Sequence, residues 1–177
     1  LLSISVLVQS YADVYNLSEG ITVWAEEYPA YVKYPSIQAA INNANEGDTV
    51  YVSSGIYHEN IFVNKSISLI GENRETTIID GDGENVISLK VNNTRIEGFT
   101  LQNGNCGIEM SPWTHGHTIN NNIMLNNNYG IAGHYDCTNI SICNNIIDSN
   151  SIAGVQMLFS QSLVANNLIS NNGKGIY

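Results

Sequence analysis

Four segments in the second half of the chain repeat one pattern at nearly constant spacing. They are Gly98-Phe99-Thr100-Leu101-Gln102-Asn103, Asn122-Ile123-Met124-Leu125-Asn126-Asn127, Asn145-Ile146-Ile147-Asp148-Ser149-Asn150 and Asn167-Leu168-Ile169-Ser170-Asn171-Asn172. The apolar residue in second place steps from Phe99 to Ile123, Ile146 and Leu168 at spacings of 24, 23 and 22. Asn103, Asn127, Asn150 and Asn172 follow at the same spacings, and each unit closes on a glycine and an aliphatic: Gly107-Ile108, Gly130-Ile131, Gly154-Val155, Gly175-Ile176. A period of this size marks a solenoid. Helical repeats need longer units and good helix formers, whereas these units are dense in Asn, Gly and β-branched residues. A leucine-rich framework is absent. The reading that remains is a right-handed single-stranded parallel β-helix, an all-β solenoid whose coils stack at the ~4.8 Å spacing of a sheet.

This register predicts two columns. Phe99, Ile123, Ile146 and Leu168 should stack inside the coil, and Asn103, Asn127, Asn150 and Asn172 should stack at a corner. Asn suits a corner because it tolerates left-handed backbone angles. Its amide can also bond the same Asn one coil away, forming a ladder that satisfies buried polar groups.

Upstream, Ser36 is a good N-cap, and Ile37, Ala40, Ile41 and Ala44 fall at i, i+3, i+4 and i+7. A short amphipathic helix over 36–44 is therefore expected. It is placed to cover the first coil, where a solenoid otherwise exposes an apolar cross-section open to strand addition. A turn at Gly47-Asp48 precedes strands at Thr49-Val50-Tyr51-Val52, Asn60-Ile61-Phe62-Val63 and Ile67-Ser68-Leu69-Ile70.

The motifs Ser36-Ile37-Gln38-Ala39-Ala40-Ile41, Gly47-Asp48-Thr49-Val50, Gly55-Ile56-Tyr57-His58-Glu59-Asn60 and Leu69-Ile70-Gly71-Glu72 resemble the opening of pectin-lyase-like β-helix proteins. With the later Asn-Asn-Ile and Gly-Ile coils, the resemblance is closest to the NosD-like group of exported β-helix proteins and extends over residues 34–177. It is specific for fold and carries little about function, because the motifs consist of lid, turn and core residues.

The chain is acidic, with 16 Asp+Glu against 6 Lys+Arg and a net charge of -10, which argues against nucleic acid as a partner. Only 12% of residues are charged, but 43% are hydrophobic, enough to build a core rather than a disordered chain. Leu1, Leu2, Ile4, Val6, Leu7 and Val8 followed by Ser10-Tyr11-Ala12 read as the tail of a signal peptide over 1–12, with an edge strand at Ile4–Val8 as the alternative. Residues 13–33 form an N-terminal extension and 34–177 the β-helix domain. No segment reaches the ~18 apolar residues of a membrane span. The last unit stops at Gly175-Ile176-Tyr177, partway through a coil with no capping segment. That end should either continue in the natural chain or self-associate end to end.

Three cysteines, Cys106, Cys137 and Cys143, lack zinc-like spacing. They read as small core fillers, with a Cys137–Cys143 or a Cys106–Cys137 disulfide as the alternatives. No Asp-Phe-Ile-Phe-Gly-like stretch is present to supply a methylesterase nucleophile, and Thr114-His115-Gly116-His117-Thr118 does not match the order seen in polygalacturonases. Asp80-Gly81-Asp82-Gly83 offers two carboxylates but reads first as a turn, then as a calcium contact, and last as a hydrolytic pair.

On an extended segment His115 and His117 would project to one side, with His134 and Asp136 on the next coil. Such a set could be a solvated loop, a sugar-binding patch with the aromatic faces of Trp113 and Tyr135, or a copper or zinc site. Asn16, Asn64, Asn92 and Asn139 each head an Asn-x-Ser/Thr acceptor sequence.

The favoured reading is an exported, non-catalytic β-helix module, secreted to the cell surface or held in the periplasm, whose partner is polysaccharide. Trp113, His115, His117, His134, Tyr135 and Asp136 are its candidate ligand-binding residues. No cofactor, metal ligand or catalytic residue is assigned. A carbohydrate-active enzyme with catalytic coils beyond residue 177, a self-stacking structural protein and a NosD-like copper-handling accessory protein remain as alternatives.

Overall fold

A computed structural model describes residues 6–9, 31–158 and 161–177. Leu1, Leu2, Ile4, the Ser10-Tyr11-Ala12 stretch and the Asn16 acceptor sequence lie outside the described residues. The order begins β1 (Val6–Gln9), β2 (Tyr31–Tyr34) and α1 (Ile37–Asn43). Strands then follow in sets of three, one set per coil. The first two coils hold β3 (Thr49–Val52), β4 (Gly55–His58), β5 (Ile61–Val63), β6 (Ser68–Gly71), β7 (Thr77–Asp80) and β8 (Ile87–Leu89). The next two hold β9 (Arg95–Glu97), β10 (Thr100–Gln102), β11 (Cys106–Met110), β12 (Thr118–Asn120), β13 (Ile123–Leu125) and β14 (Tyr129–Gly133). The last strands are β15 (Ile140–Cys143), β16 (Ile146–Asp148), β17 (Ala153–Met157), β18 (Ser162–Ala165) and β19 (Leu168–Ser170).

Every third strand pairs in parallel. The first sheet runs β18-β15-β12-β9-β6-β3, the second β19-β16-β13-β10-β7-β4 and the third β17-β14-β11-β8-β5. The fold is therefore the expected all-β parallel solenoid. Antiparallel β1 and β2 extend the first sheet beyond β3. Val6–Gln9, within the N-terminal apolar run, is thus flanked by a strand on each side.

The helix covers the first coil as expected. Ser36 caps it by accepting from the Ala39 N–H at 3.1 Å, and Ile37, Ala40, Ile41 and Ala44 are buried. Glu59, from the loop below, accepts from the Ile37 and Gln38 N–H groups at 3.0 Å each. Gln38 then does what a neighbouring strand would do for β5. Its amide accepts from the Phe62 N–H at 2.8 Å and donates to the Phe62 carbonyl at 3.2 Å, so the first edge of the third sheet is blocked.

The predicted columns are displaced by one residue in one coil. Thr100, not Phe99, pairs with Ile123, so Phe99 is level with Asn122 and Asn103 with Asn126. The inner column is Ile79, Leu101, Met124, Ile147 and Ile169. Phe99 is fully buried, but Ile123 and Ile146 are half-buried outward residues and Leu168 is 60% exposed. Phe99 therefore does not share a column with Ile123, Ile146 and Leu168.

Asn103 likewise leaves its predicted column, because the two jobs assigned to one Asn belong to two. Asn103, Asn126, Ser149 and Asn171 adopt positive φ near +55° and turn the corner. The residues after them, Asn127, Asn150 and Asn172, point inward and form the ladder. Asn127 Nδ2 donates to Asn150 Oδ1 at 3.1 Å, and Asn150 Nδ2 to Asn172 Oδ1 at 2.8 Å. A second ladder, Asn122–Asn145–Asn167, fills the corner between the first and second sheets, with Asn121, Asn144 and Asn166 as its left-handed residues.

The glycine of the Gly-aliphatic pairs has a separate cause. A Cβ on Gly130 would lie 2.5 Å from the Gly154 carbonyl oxygen, and one on Gly107 2.6 Å from that of Gly130. Neighbouring coils approach too closely there for any side chain.

Candidate functional site: the corner between the third and first sheets

Two of the three corners are short from the third coil onward and closed by the Asn ladders. The third, joining the third sheet to the first, varies from four to seven residues per coil. It carries Lys90–Thr94, Ser111–His117 and His134–Asn139, and with them every ligand-binding residue expected from the sequence.

Residues 23 apart are level across this corner, as the His115–Thr138 bridge shows. Trp113 and Asp136 are therefore equivalent, and both adopt positive φ, +61° and +57°. Asp tolerates that conformation and a bulky aromatic does not. Trp113 is held there by its own N–H, which donates to the Tyr135 carbonyl at 3.0 Å, and by the Thr114 hydroxyl, which donates to the Ser111 carbonyl at 2.8 Å. Trp113 is nevertheless 72% exposed, and Tyr135, next to it along the corner, is 56% exposed.

Glu109 projects from the outer face of β11 yet is only 7% exposed. Lys90, one coil before, donates to its Oε2 at 2.8 Å, and Nε2 of His134, one coil after, lies 3.1 Å from its Oε1. These three side chains bridge three coils at the foot of the Trp113 corner. On the far side of Lys90 a groove of about 310 Å³ is lined by Asn60, Phe62, Glu84, Asn85, Ser88 and Lys90. The opposite rim of the third sheet is a surface ladder. Asn105 donates to Asn85 at 3.1 Å, Asn128 to Asn105 at 3.2 Å and Ser151 to Asn128 at 2.9 Å. Neither Glu109 nor this rim was found from the sequence. The rim's signal was there, in Asn105, Asn128 and Ser151 at intervals of 23.

Gly116, at φ +75°, breaks the extended backbone between His115 and His117, and the two differ in burial. His115 is exposed, whereas His117 is 1% exposed with Nδ1 2.7 Å from the Thr94 hydroxyl. His117 therefore offers no atom to a surface ligand, a correction to the sequence reading. Burial, reinforced by the nearby His115, pulls its pKa down to about 4. Its Nε2 has no hydrogen-bond partner among the described residues.

Trp113, His134, Tyr135 and Asp136 do share one exposed corner. Among the described residues no group of three or more His, Cys, Asp and Glu could hold a metal ion. The cysteines are all free, Cys106 and Cys137 being buried core residues. Burial, with Glu109 adding, pushes the Cys106 thiol up to about 12, which keeps it protonated.

The Asp80–Gly83 segment is a turn, with Asp82 at φ +50° and Gly83 at +94°. Burial would raise the Asp80 pKa, but donors from Gln102, Asn103 and the Asp82 N–H outweigh it and hold the carboxyl below the usual range. A carboxylate so held is a structural acceptor of the corner rather than a proton donor.

The chain is thus a parallel β-helix protein with ladder-closed corners that displays one variable, aromatic-bearing corner from a regular coil. The chain belongs to the NosD family, whose model, described as periplasmic copper-binding protein (NosD), matches residues 41–177. It is also 37% identical over 95 residues to a cell surface glycoprotein of Methanothermus fervidus, covering 52% of this chain and 16% of that protein. The chain thus spans about a sixth of that relative's length. No solved structure matches the chain. Family and relative together make this an exported β-helix surface protein, outside the cytoplasm. Among the described residues no helix is long and apolar enough to cross a membrane. The copper in the family's description finds no fitting set of ligands among the described residues.

Proposed function

We propose that the protein is a non-catalytic surface module that binds neutral polysaccharide at the corner between its third and first sheets. Trp113 carries the reading. A positive φ in a bulky residue costs roughly 1–3 kcal/mol and persists where the surrounding structure enforces it, commonly at binding sites. Here the strained residue is 72% exposed to solvent, where it adds nothing to the core. An exposed indole beside a phenol offers apolar faces on which the apolar face of a sugar ring stacks. Asp136 and His134 supply polar groups at its edge, the mix of a flat apolar surface with a few fixed polar atoms that ligand sites use. The net charge of -10 repels acidic polymers and favours neutral ones.

The test is affinity electrophoresis and calorimetry of the protein against neutral polysaccharides: a β-glucan, a xylan and a galactomannan. Binding to at least one is expected, weakened tenfold or more by Trp113→Asn, which suits the same backbone conformation. Absence of binding across the panel, or unchanged binding by Trp113→Asn, would refute the reading.

A further inference from the structure

The same corner carries the three Asn-x-Ser/Thr sequences among the described residues: Asn64-Lys65-Ser66, Asn92-Asn93-Thr94 and Asn139-Ile140-Ser141. They lie on different coils, and the structure separates them by whether an enzyme could reach them. Transfer of a glycan to an Asn needs a free carboxamide and an accessible hydroxyl two residues on.

Asn92 fails on both counts. Its Oδ1 accepts from the His115 N–H at 3.0 Å. Thr94 is 1% exposed, and its hydroxyl is engaged with buried His117 at 2.7 Å.

Asn139 meets both. It is exposed at positive φ on the outside of the corner, its carboxamide bonds no other group among the described residues, and among them the hydroxyl of half-buried Ser141 meets only the Cys143 sulfur at 3.4 Å. Asn64 is likewise exposed, with its carboxamide unengaged among the described residues. The Ser66 hydroxyl donates to the Asn92 carbonyl at 2.6 Å but is half-buried at the surface.

We infer that Asn64 and Asn139 are N-glycosylation sites of the folded protein and that Asn92 is not. The inference rests on the exported location, since such sequences are modified only outside the cytoplasm. It does not depend on polysaccharide binding. Both glycans would project from one edge of the coil, leaving the second sheet and the ladder corners bare.

The experiment uses unglycosylated protein carrying Asn16→Gln, which removes the acceptor outside the described residues, purified folded, and an oligosaccharyltransferase with its lipid-linked oligosaccharide. The enzyme is chosen for activity on a peptide spanning 136–143. Intact mass should rise by two glycan increments, mapped to Asn64 and Asn139. One increment should vanish in Asn64→Gln and the other in Ser141→Ala, while circular dichroism stays unchanged. The urea-unfolded, oxidant-free chain should gain a third increment at Asn92. Modification of Asn92 in the folded protein as fast as of Asn139 would overturn the inference. So would folded protein that stays unmodified at Asn64 and Asn139, whether or not the unfolded chain is modified there. Because the readout is mass, failure here leaves the polysaccharide measurements standing, and failure there leaves these sites standing.

Discussion

Replacing Asn145 by Ala tests the division of labour within the Asn doublets. Asn145 is 1% exposed, and its Oδ1 accepts from the Asn122 N–H at 2.9 Å and from Asn122 Nδ2 at 3.3 Å. Its own Nδ2 donates to the Ile119 carbonyl at 3.0 Å and to Asn167 Oδ1 at 3.0 Å. Truncation to a methyl leaves the Asn122 N–H without an acceptor and takes a donor from the Ile119 carbonyl. Asn122 Nδ2 keeps the Ile96 and Asn120 carbonyls, and Asn167 Oδ1 keeps the Asn145 N–H. With about 1–3 kcal/mol for each buried group orphaned, Asn145→Ala should destabilise by about 2–5 kcal/mol.

Its neighbour Asn144 is the control. It is exposed at φ +59° and bonds Asn120 at the surface, so Asn144→Gly should change stability by less than about 1 kcal/mol. Urea unfolding followed by circular dichroism gives both values. Hydrogen exchange at the Asn122 amide gives a local one, since its protection depends on the Asn145 side chain. If Asn145→Ala costs under 1 kcal/mol, or Asn144→Gly costs as much as it does, the inward and corner roles have been assigned to the wrong members of the doublet.

Acidification should destabilise the fold through His117. Its folded pKa near 4 lies below the unfolded value of 6.5, so the unfolded chain binds the proton first and stability falls as pH drops from 6.5 through 4. The shift corresponds to about 2–3 kcal/mol between pH 7 and 4.5, and urea titrations should show that much less pH dependence in His117→Leu; equal dependence would refute it. Trp113→Asn should raise stability by roughly 1 kcal/mol or more by relieving the positive φ, and a lower thermal midpoint would show that the indole serves the fold.

The solenoid was legible because its signal is a period, and a period survives a local error of register. The error itself has a physical source. In the third coil Gly98-Phe99 stands where later coils have Asn121-Asn122 and Asn144-Asn145, so aligning apolar with apolar moved Phe99 onto Ile123 and stretched one interval to 24. Phe99 occupies the inward ladder position, and its N–H is the group the first ladder Asn caps, donating to Asn122 Oδ1 at 3.1 Å. A buried phenyl can end a ladder there because the coil before it has no Asn to extend it. The site was less legible. Trp113, His134, Tyr135 and Asp136 share one corner because the 23-residue interval carries them there. His117 was misplaced because alternation assumes an extended backbone, and Gly116 breaks it. Glu109 gave no signal, since its burial comes from Lys90 and His134 on other coils.

The three corners therefore differ in what their residues can vary. At two of them each coil from the fourth onward supplies a left-handed residue and then an inward Asn, and a neighbour's backbone loses its partner if the Asn is replaced. Between the first and second sheets insertions are excluded as well, because Asn122, Asn145 and Asn167 must stay level for the ladder to continue, whereas the other ladder corner takes one extra residue, Ile152, beyond the ladder Asn. The corner after the third sheet carries no Asn ladder, and its length changes from coil to coil without displacing β9, β12 or β15 from their pairing. A strained Trp is tolerable there, since the rest of the coil is held by bonds that do not pass through it. Exchanging the Ser111–His117 loop for one from another coil should then alter ligand binding and leave the ladder amides protected, whereas moving the Asn121-Asn122 doublet by one position should unfold the coils on both sides of it. Loop exchange that strips protection from the Asn122 and Asn127 amides would show that this corner, too, holds the solenoid together.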